Sequence, residues 1–414
     1  MAAMEKKDKT LNVPHLRFPE FSGEWEICKV SDILDFYSTN SLAWEQLEYG
    51  AYGLKNLHYG LIHNGLSTCL DTKDAILPVI KQNCIPKNYT ECQNGDVAFA
   101  DASEDTNDVA KCVEFTDCHA DKVVCGLHTI HGRDKGDKTV VGFKGYAFSS
   151  QAFRHQIRRL AQGTKIYSIS SKNFSECNIG IPSKEEQTKI ATLLKLIEQR
   201  ILTQKKIIED LKKLKDAICN LNFTSGSSLT LGDVGYFVRG LTYSASDVID
   251  DTAGTAVMRS NNISNGDPVN FDELIWVNKT PNHDQILRAG DMVICMANGS
   301  SALVGKSSYY INSDIELATV GAFCGIYRSD NPLAKWLFQS IHYKKHLQRS
   351  IQGGNGAIAN IYPEDILAIS FNIPADHERI LNILNSLEEK HLLEHKLLCG
   401  YLGVKSHLLS QLFI

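Results

Sequence analysis

The chain has 414 residues, 43% of them hydrophobic, which is enough for two ordinary cores. Its 43 Lys+Arg against 48 Asp+Glu leave a net charge of -5, which argues against a wholly basic nucleic-acid binder and makes the distribution of charge matter more than its sum. Apolar runs stay short of the roughly 18 residues of a membrane helix, and MAAMEKKDKT lacks the apolar core of an export signal, so a cytoplasmic chain with no membrane partner is expected.

In chain order, the first half carries VSDILDFYS from Val30, YGLKNLHYG from Tyr52 and NGDVAFADASED from Asn94. These segments, and KTVVGFKG after them, alternate or run apolar between Gly-Asp and Asn-Gly punctuation, as strands and turns do. The 12 cysteines include no CxxC pair and read as reduced, mostly buried thiols. Cys112, Cys118, His119, Cys125, His128 and His131 crowd one window, but their spacing matches no familiar zinc module, so packing is expected and no metal ligand is assigned. Arg154, His155, Arg158, Arg159 and Lys165 then gather beside a Gln162-Gly163 turn. Such a cluster is either a solvated helix face or a seat for an anionic partner.

From Ile181 the chain reads IPSKEEQTKIATLLKLIEQRILTQKKIIEDLKKLKDAICNLNF. Ile190, Leu194, Ile197, Ile201, Ile208, Leu211 and Ile218 recur at steps of four and three or their multiples, the seam of a coiled coil, which Gln204 and Lys215 interrupt. Pro182 suits the start, Ser183 the N-cap, and Glu186 would complete a capping box. A helix over 183–222 would be about 60 Å long.

The second half repeats this order. LGDVGYFVR from Leu231 matches VSDILDFYS, MRSNNISNG from Met258 matches YGLKNLHYG, and AGDMVICMANGS from Ala289 matches NGDVAFADASED. NPLAKWLFQSIHYKKHLQRS over 331–350 predicts one helix with Asn331 as its cap, bearing His342, Lys344, Lys345, His346 and Arg349 ahead of a Gln352-Gly353-Gly354 turn. From Ile373, IPADHERILNILNSLEEKHLLEHKLLCGYLGVKSHLLSQLF again follows Ile-Pro with helix formers, offering Ile380, Leu384, Leu387, Leu398, Leu402, Leu408 and Leu409, with Gly400 and Gly403 weakening the middle. A repeat of roughly 190–200 residues is the size of a duplicated domain, and two basic clusters at matched places favour a shared anionic partner over two solvated faces. The economical solution packs the two helices antiparallel with the modules at opposite ends; the alternative is that each folds back on its own module.

These residues resemble the specificity subunits of type I restriction-modification systems. VPHLRFPEFSGEWEICKVSDI looks like the opening of a first target-recognition domain, IPSKEEQTKI and its helix like the central conserved region, and IPADHERI and its helix like the distal one. The resemblance implies an α+β chain: a target-recognition domain over 1–182, a spacer helix over 183–222, a second recognition domain over 223–374 and a distal helix over 375–414, the helices forming an antiparallel coiled coil. It further implies a non-catalytic chain that reads a bipartite, asymmetric duplex DNA target. Two adenine methyltransferase subunits holding S-adenosylmethionine would dock on it, joined by restriction and translocase subunits, and no cofactor would sit in this chain.

The residues agree on the negative side, with no Walker A pattern, no Asn-Pro-Pro-aromatic motif and no His-Glu-x-x-His helix; GGNGA from Gly353 lacks the following Lys-Ser/Thr and reads as a turn. Base readout needs paired donors and acceptors. The matched loops offer Lys55, Asn56 and His58 in the first half, and Arg259, Ser260, Asn261, Asn262, Asn298, Ser300, Ser301 and Lys306 in the second. The first half's other loop, ADASEDTND, is acidic and ill suited to DNA. Arg154, Arg158, Arg159, Lys165, Lys344, Lys345 and Arg349 are phosphate candidates. Two other classes stay open: a component of a two-component or fused restriction enzyme, and a coiled-coil scaffold without a DNA role.

Overall fold

The computed structural model describes residues 12–50, 52–311, 314–351 and 358–414; the Gln352-Gly353-Gly354 turn and GGNGA lie outside them. The chain folds as two units, one taking residues up to Lys205 together with Lys396–Ile414, the other Lys206–His395. Both mix α and β, as the alternation of short apolar runs with turn residues predicts. Among the described residues no helix is long and apolar enough to cross a membrane.

In the first unit a five-stranded sheet runs Leu34–Tyr37, Thr129–Asp134, Val97–Ala100, Cys112–Asp117, Cys69–Asp71, and a four-stranded sheet runs Val123–Cys125, Lys55–Leu57, Val79–Ile80, Leu47–Glu48. In the second, Tyr236–Arg239, Cys324–Arg328, Met292–Cys295 and Ser307–Tyr309 form one sheet, and Val248–Ile249, Ile275–Val277, Thr255–Met258 and Ala318–Val320 the other. The matched Gly95-Asp96 and Gly290-Asp291 turns prove to be anchors. Asp96 is buried and grips Arg133 through both oxygens at 2.9 and 2.8 Å, and Asp291 grips Arg328 in the same way at 2.8 and 2.6 Å. A bidentate, charge-assisted pair is among the strongest polar contacts available, and here it fastens the same two strands of each main sheet.

Two helical segments follow each sheet. The single helix expected over 331–350 is instead Ala334–Gln339 and Ile341–Ser350, broken at Ser340, whose hydroxyl accepts the Tyr343 N–H at 3.3 Å. Ser150 does the same between Phe143–Ser149 and Gln151–Leu160. A hydroxyl that satisfies a free helix donor gives the second segment its own start, and so permits the bend.

The central helix, Lys184–Asn222, has 39 residues and a length of about 58 Å; the distal helix, His377–Gln411, has 35. Ser183 caps the central helix through Glu186 N–H, but the Glu186 carboxylate does not close a capping box: it holds Arg17 at 2.8 Å. The distal helix runs unbroken through Gly400 and Gly403, where an added Cβ would meet only open space.

Within the first unit, Ile190, Ala191 and Leu194 share a core with Leu408, Leu409, Leu412 and Phe413. Within the second, Cys219 and Phe223 share one with Ile380 and Leu384. In both, later residues of one helix meet earlier residues of the other, so the pairing is antiparallel. Ile190, Leu194, Ile201, Ile208, Leu211 and Leu384 are buried, and Ile197, Ile218, Leu387 and Leu398 half-buried; Leu402 faces out. Gln204 and Lys215 do not interrupt the seam. They occupy its next three- and four-residue steps and are buried there.

The buried charges are paired. Lys215 bonds Glu388, which also accepts from the Tyr309 hydroxyl and faces Lys335 at 3.4 Å. Lys405 bonds Glu198 at 2.8 Å, and Glu198 also accepts from the Thr68 N–H at 3.0 Å and the Tyr146 hydroxyl at 2.9 Å. Burial pushes both glutamates toward protonation, but the neighbouring ammonium groups and hydrogen bonds hold them below the usual carboxylate range. Replacing Glu388 by Leu strands Lys215 inside the second unit and should cost about 3–5 kcal/mol, whereas Glu388→Leu combined with Lys215→Leu should recover most of the loss. Urea midpoints of the two full-length variants check this, and a double variant no better than the single one counts against it.

Candidate nucleic-acid interface

Four of the proposed base readers in the second unit converge on one cleft of about 720 Å³. Arg259, Ser260 and Asn261 arrive from the end of Thr255–Met258, and Asn298 from beyond Met292–Cys295; Tyr243, Phe323 and Ile358 complete the walls. Strand ends deliver these groups because each strand stops at a turn: the Asn262 side chain ties back the 259–262 turn, and the Phe323 carbonyl accepts Met296 N–H and Ala297 N–H at 2.8 and 3.1 Å. The lip is apolar, with Phe323 64% and Ile358 56% exposed.

The polar groups differ in what they have left to offer. Asn261 is exposed, and Arg259, half-buried in the cleft wall, has its Nε buried with no hydrogen-bond partner among the described residues. A buried donor without a partner is costly unless a ligand takes it up. Asn298 braces the loop instead, donating to Ser260 Oγ at 3.3 Å and accepting Ser300 N–H at 3.0 Å. Ser300 and Ser301 are exposed and Lys306 is half-buried, all three outside the cleft walls.

Three candidates are corrected by burial. Asn262 is fully buried, accepting from Arg259 N–H and donating to the Asn270 and Asp272 carbonyls at 3.0 and 2.7 Å, so it shapes the turn and cannot reach a base. Asn56 is fully buried and donates to Asn40 at 3.1 Å. His58 is buried between Trp44 and Tyr59, with ring centroids at 4.4 and 4.7 Å, and its Nδ1 caps the helix Tyr59–His63 by accepting Gly60 N–H. Burial lowers the His58 pKa, with His128 adding to the effect, so the ring is neutral at pH 7. Lys55 is ion-paired with Asp121 at 2.8 Å.

The corresponding place in the first unit is aromatic. Tyr59 sits against His63 and against His128, with centroids 5.8 and 5.2 Å away, and Trp44 and His128 are exposed at its edge. His128 occupies the tip between Val123–Cys125 and Thr129–Asp134, where Phe323 sits in the other unit between Ala318–Val320 and Cys324–Arg328. Its φ of 53° turns the chain and its ring lies 3.1 Å from Asp101. Sequence reasoning missed Trp44, Tyr59, His63, His128 and Phe323. The run of rings in LHYGLIH was the available signal, while nothing local marks Phe323 as a tip.

The basic helices also divide. Arg154 is spent on its own unit: its guanidinium donates to the Asn107 and Val109 carbonyls, and burial lowers its pKa, so it is withdrawn as a phosphate contact. Arg158 is exposed but touches Asn107 Oδ1 at 3.1 Å. The acidic ADASEDTND loop is thus held by the arginines beside it. Arg159, Lys165, Lys344, Lys345 and Arg349 are exposed and form no ion pair among the described residues. The cysteine and histidine window does not gather as a set: His119 bonds Asp71 at 2.8 Å, whereas Cys125 and His131 come together with Cys92 from outside the window.

Residues 120–213 match the family model for the type I restriction modification DNA specificity domain. The chain is similar to the type I restriction enzyme MjaVIII specificity subunit of Methanocaldococcus jannaschii, 26% identical over 59% of this chain and 64% of that one. It is also similar to the EcoKI specificity subunit of Escherichia coli K12, 31% identical over 36% of this chain and 33% of that one. The matched stretches thus cover less than two thirds of these relatives' length. In fold it resembles the type I restriction-modification S subunit of M. genitalium, with a TM-score of 0.57 at 15% identity over 97% of this chain and 99% of that one.

The contrast between neighbours is testable. Asn262→Ala should destabilise the chain by about 1–3 kcal/mol, because it leaves buried backbone groups unsatisfied. Asn261→Ala should stay within about 0.5 kcal/mol. Equal urea midpoints for the two variants would contradict the division into turn former and free reader.

Proposed function

We propose that this chain, which is similar to type I restriction-modification specificity subunits, reads a bipartite duplex DNA target, one half with each unit, and carries the methyltransferase and restriction subunits to it. The observation that carries this reading is the cleft of the second unit, where Arg259, Ser260 and Asn261 meet beneath the exposed Phe323 and Ile358. Arg offers paired donors to guanine and Asn a donor and acceptor to adenine. Apolar side chains at the rim suit the unstacking or packing contacts that DNA-deforming proteins make. In the first unit the aromatic group of Trp44, Tyr59 and His128 takes that place, so the halves read would differ in sequence.

Arg159, Lys165, Lys344, Lys345 and Arg349 are assigned to phosphates, which position the protein without reading bases. The chemistry would lie in the partners: methyltransferase subunits holding S-adenosylmethionine and methylating adenine, and restriction subunits that translocate and cut. The interval between target halves is assigned to the two long helices, whose length is set by hydrogen-bonded backbone rather than by loops.

Docking of the methyltransferases is supported by a second apolar stripe. Ile207, Leu214 and Leu221 recur every seven residues on the exposed side of the central helix, and Leu397 and Val404 repeat that spacing on the distal one. Exposed apolar residues at heptad spacing outside the seam suit another helix.

Arg259→Ala with Asn261→Ala should change the methylated motif at one half only, leaving the other half and the interval intact. Methylome sequencing of cells carrying the variant with its partner subunits reads this directly, and a change in both halves would sink the assignment. Leu214→Asp with Val404→Asp should lower co-purification with the methyltransferase at least about tenfold while leaving the urea midpoint of the free chain unchanged. Undiminished co-purification would remove the stripe as a docking surface.

A further inference from the structure

Inside the first unit, Cys92, Cys125 and His131 are buried and bring their ligand atoms within 4.8 Å of one another. The two sulfurs lie 3.6 Å apart, too far for a disulfide and close to the separation of two thiolates that share a tetrahedral metal. His131 is fully enclosed, and the state of its ring follows from its neighbours. Its Nε2 lies 2.8 Å from Asp96 Oδ2. That carboxylate already takes both donors of Arg133 and the Gln93 N–H, so it is ionised and can only accept. Nε2 therefore carries a proton, and Nδ1 is the ring nitrogen left for a ligand. Nδ1 is buried and has no hydrogen-bond partner among the described residues.

A buried imidazole nitrogen left unsatisfied is costly, and the cost is removed if something binds it. A histidine that donates one nitrogen to a carboxylate and lies in one buried cluster with two cysteines has the arrangement of a metal ligand with its orienting partner. Two sulfurs and an imidazole select a borderline-soft ion of the zinc class over calcium or magnesium. Sequence spacing hid the set because Cys92 stands far from the other two and because Cys112, Cys118 and His119, which crowd the window, take no part.

We propose that Cys92 Sγ, Cys125 Sγ and His131 Nδ1 bind one divalent ion of the zinc class, with water as the fourth ligand. Binding releases the two thiol protons, and any proton on Nδ1, to solvent and forms two metal–sulfur bonds and one metal–nitrogen bond, with no change of oxidation state. The ion joins three segments: the loop before Val97–Ala100, the end of Val123–Cys125 and the strand Thr129–Asp134. The turn that carries His128 lies between the last two, so the ion clamps its base.

The test is titration of the reduced full-length chain with Co(II), followed by displacement with Zn(II). The expected result is a thiolate-to-cobalt charge-transfer band that saturates at about one equivalent, with about two to three protons released per ion. Cys125→Ser and His131→Ala should abolish the band, and Cys112→Ser, which removes a buried thiol outside the set, should keep it. The wild-type titration and proton count stand even where a ligand variant fails to fold. A wild-type chain that binds no cobalt, a band undiminished in Cys125→Ser, or a Cys92–Cys125 disulfide in the unreduced peptide map would overturn the proposal.

Discussion

Both units depend on a pair of opposite charges buried between two helices. Glu198 meets Lys405 in one, and Lys215 meets Glu388 in the other. Glu198 and Glu388 are repeat counterparts about 190 residues apart, as are Lys215 and Lys405. Each helix thus carries one acid and one base in the same order, and that order has a consequence. A parallel, in-register pairing would set acid against acid and base against base inside an apolar seam, at a cost no hydrophobic contact could offset. The antiparallel pairing sets each acid against a base. Apolar residues alone at steps of three and four would tolerate either direction or a slipped register, so the buried charges select the arrangement while the isoleucines and leucines stabilise it. The first unit's core is completed by residues 396–414, which join it from the distal helix.

A second duplicated pair does for the sheets what the first does for the helices. Asp96 with Arg133 and Asp291 with Arg328 lock equivalent strands at the end away from the candidate interface. With strand positions fixed from below, the loops at the other end can differ without loss of the sheet. They do differ: Arg259 and Asn261 on one side, Trp44, Tyr59 and His128 on the other. A rigid shared base with divergent tips lets one fold hold two chemistries in equivalent places.

The duplication, the mixed α and β texture and the two long helices were legible because they rest on local patterns, Ile-Pro breaks and a three-four apolar rhythm, which need no knowledge of partners. Gln204 and Lys215 looked like interruptions because a hydrophobic period counts only apolar side chains. Their burial becomes understandable only when a partner more than 170 residues away, such as Glu388 for Lys215, is known. Site residues were harder for the same reason. Asn261 and Asn262 are identical side chains on one turn, and only the packing of Asn270 and Asp272 decides that one is a structural clamp and the other free. Ser340 hid a helix break because a serine within a good helical run is a weak signal until its hydroxyl is seen to cap the next segment.

Charge is the point at which the two copies diverge most usefully. In the first unit Arg154 and Arg158 hold the acidic loop, leaving Arg159 and Lys165 exposed; in the second, Lys344, Lys345 and Arg349 are all exposed. Contacts to phosphate add to affinity wherever they lie on a continuous duplex, so they need not be shared evenly between two readers of one molecule. Base contacts obey a different rule, since each half of a bipartite target is discriminated only by the unit that touches it. A chain built by duplication can therefore let one copy turn its basic helix inward, to neutralise a loop that would otherwise repel DNA. On the proposed function, the other copy would then supply more of the attraction, and neither would lose the means of reading its own half.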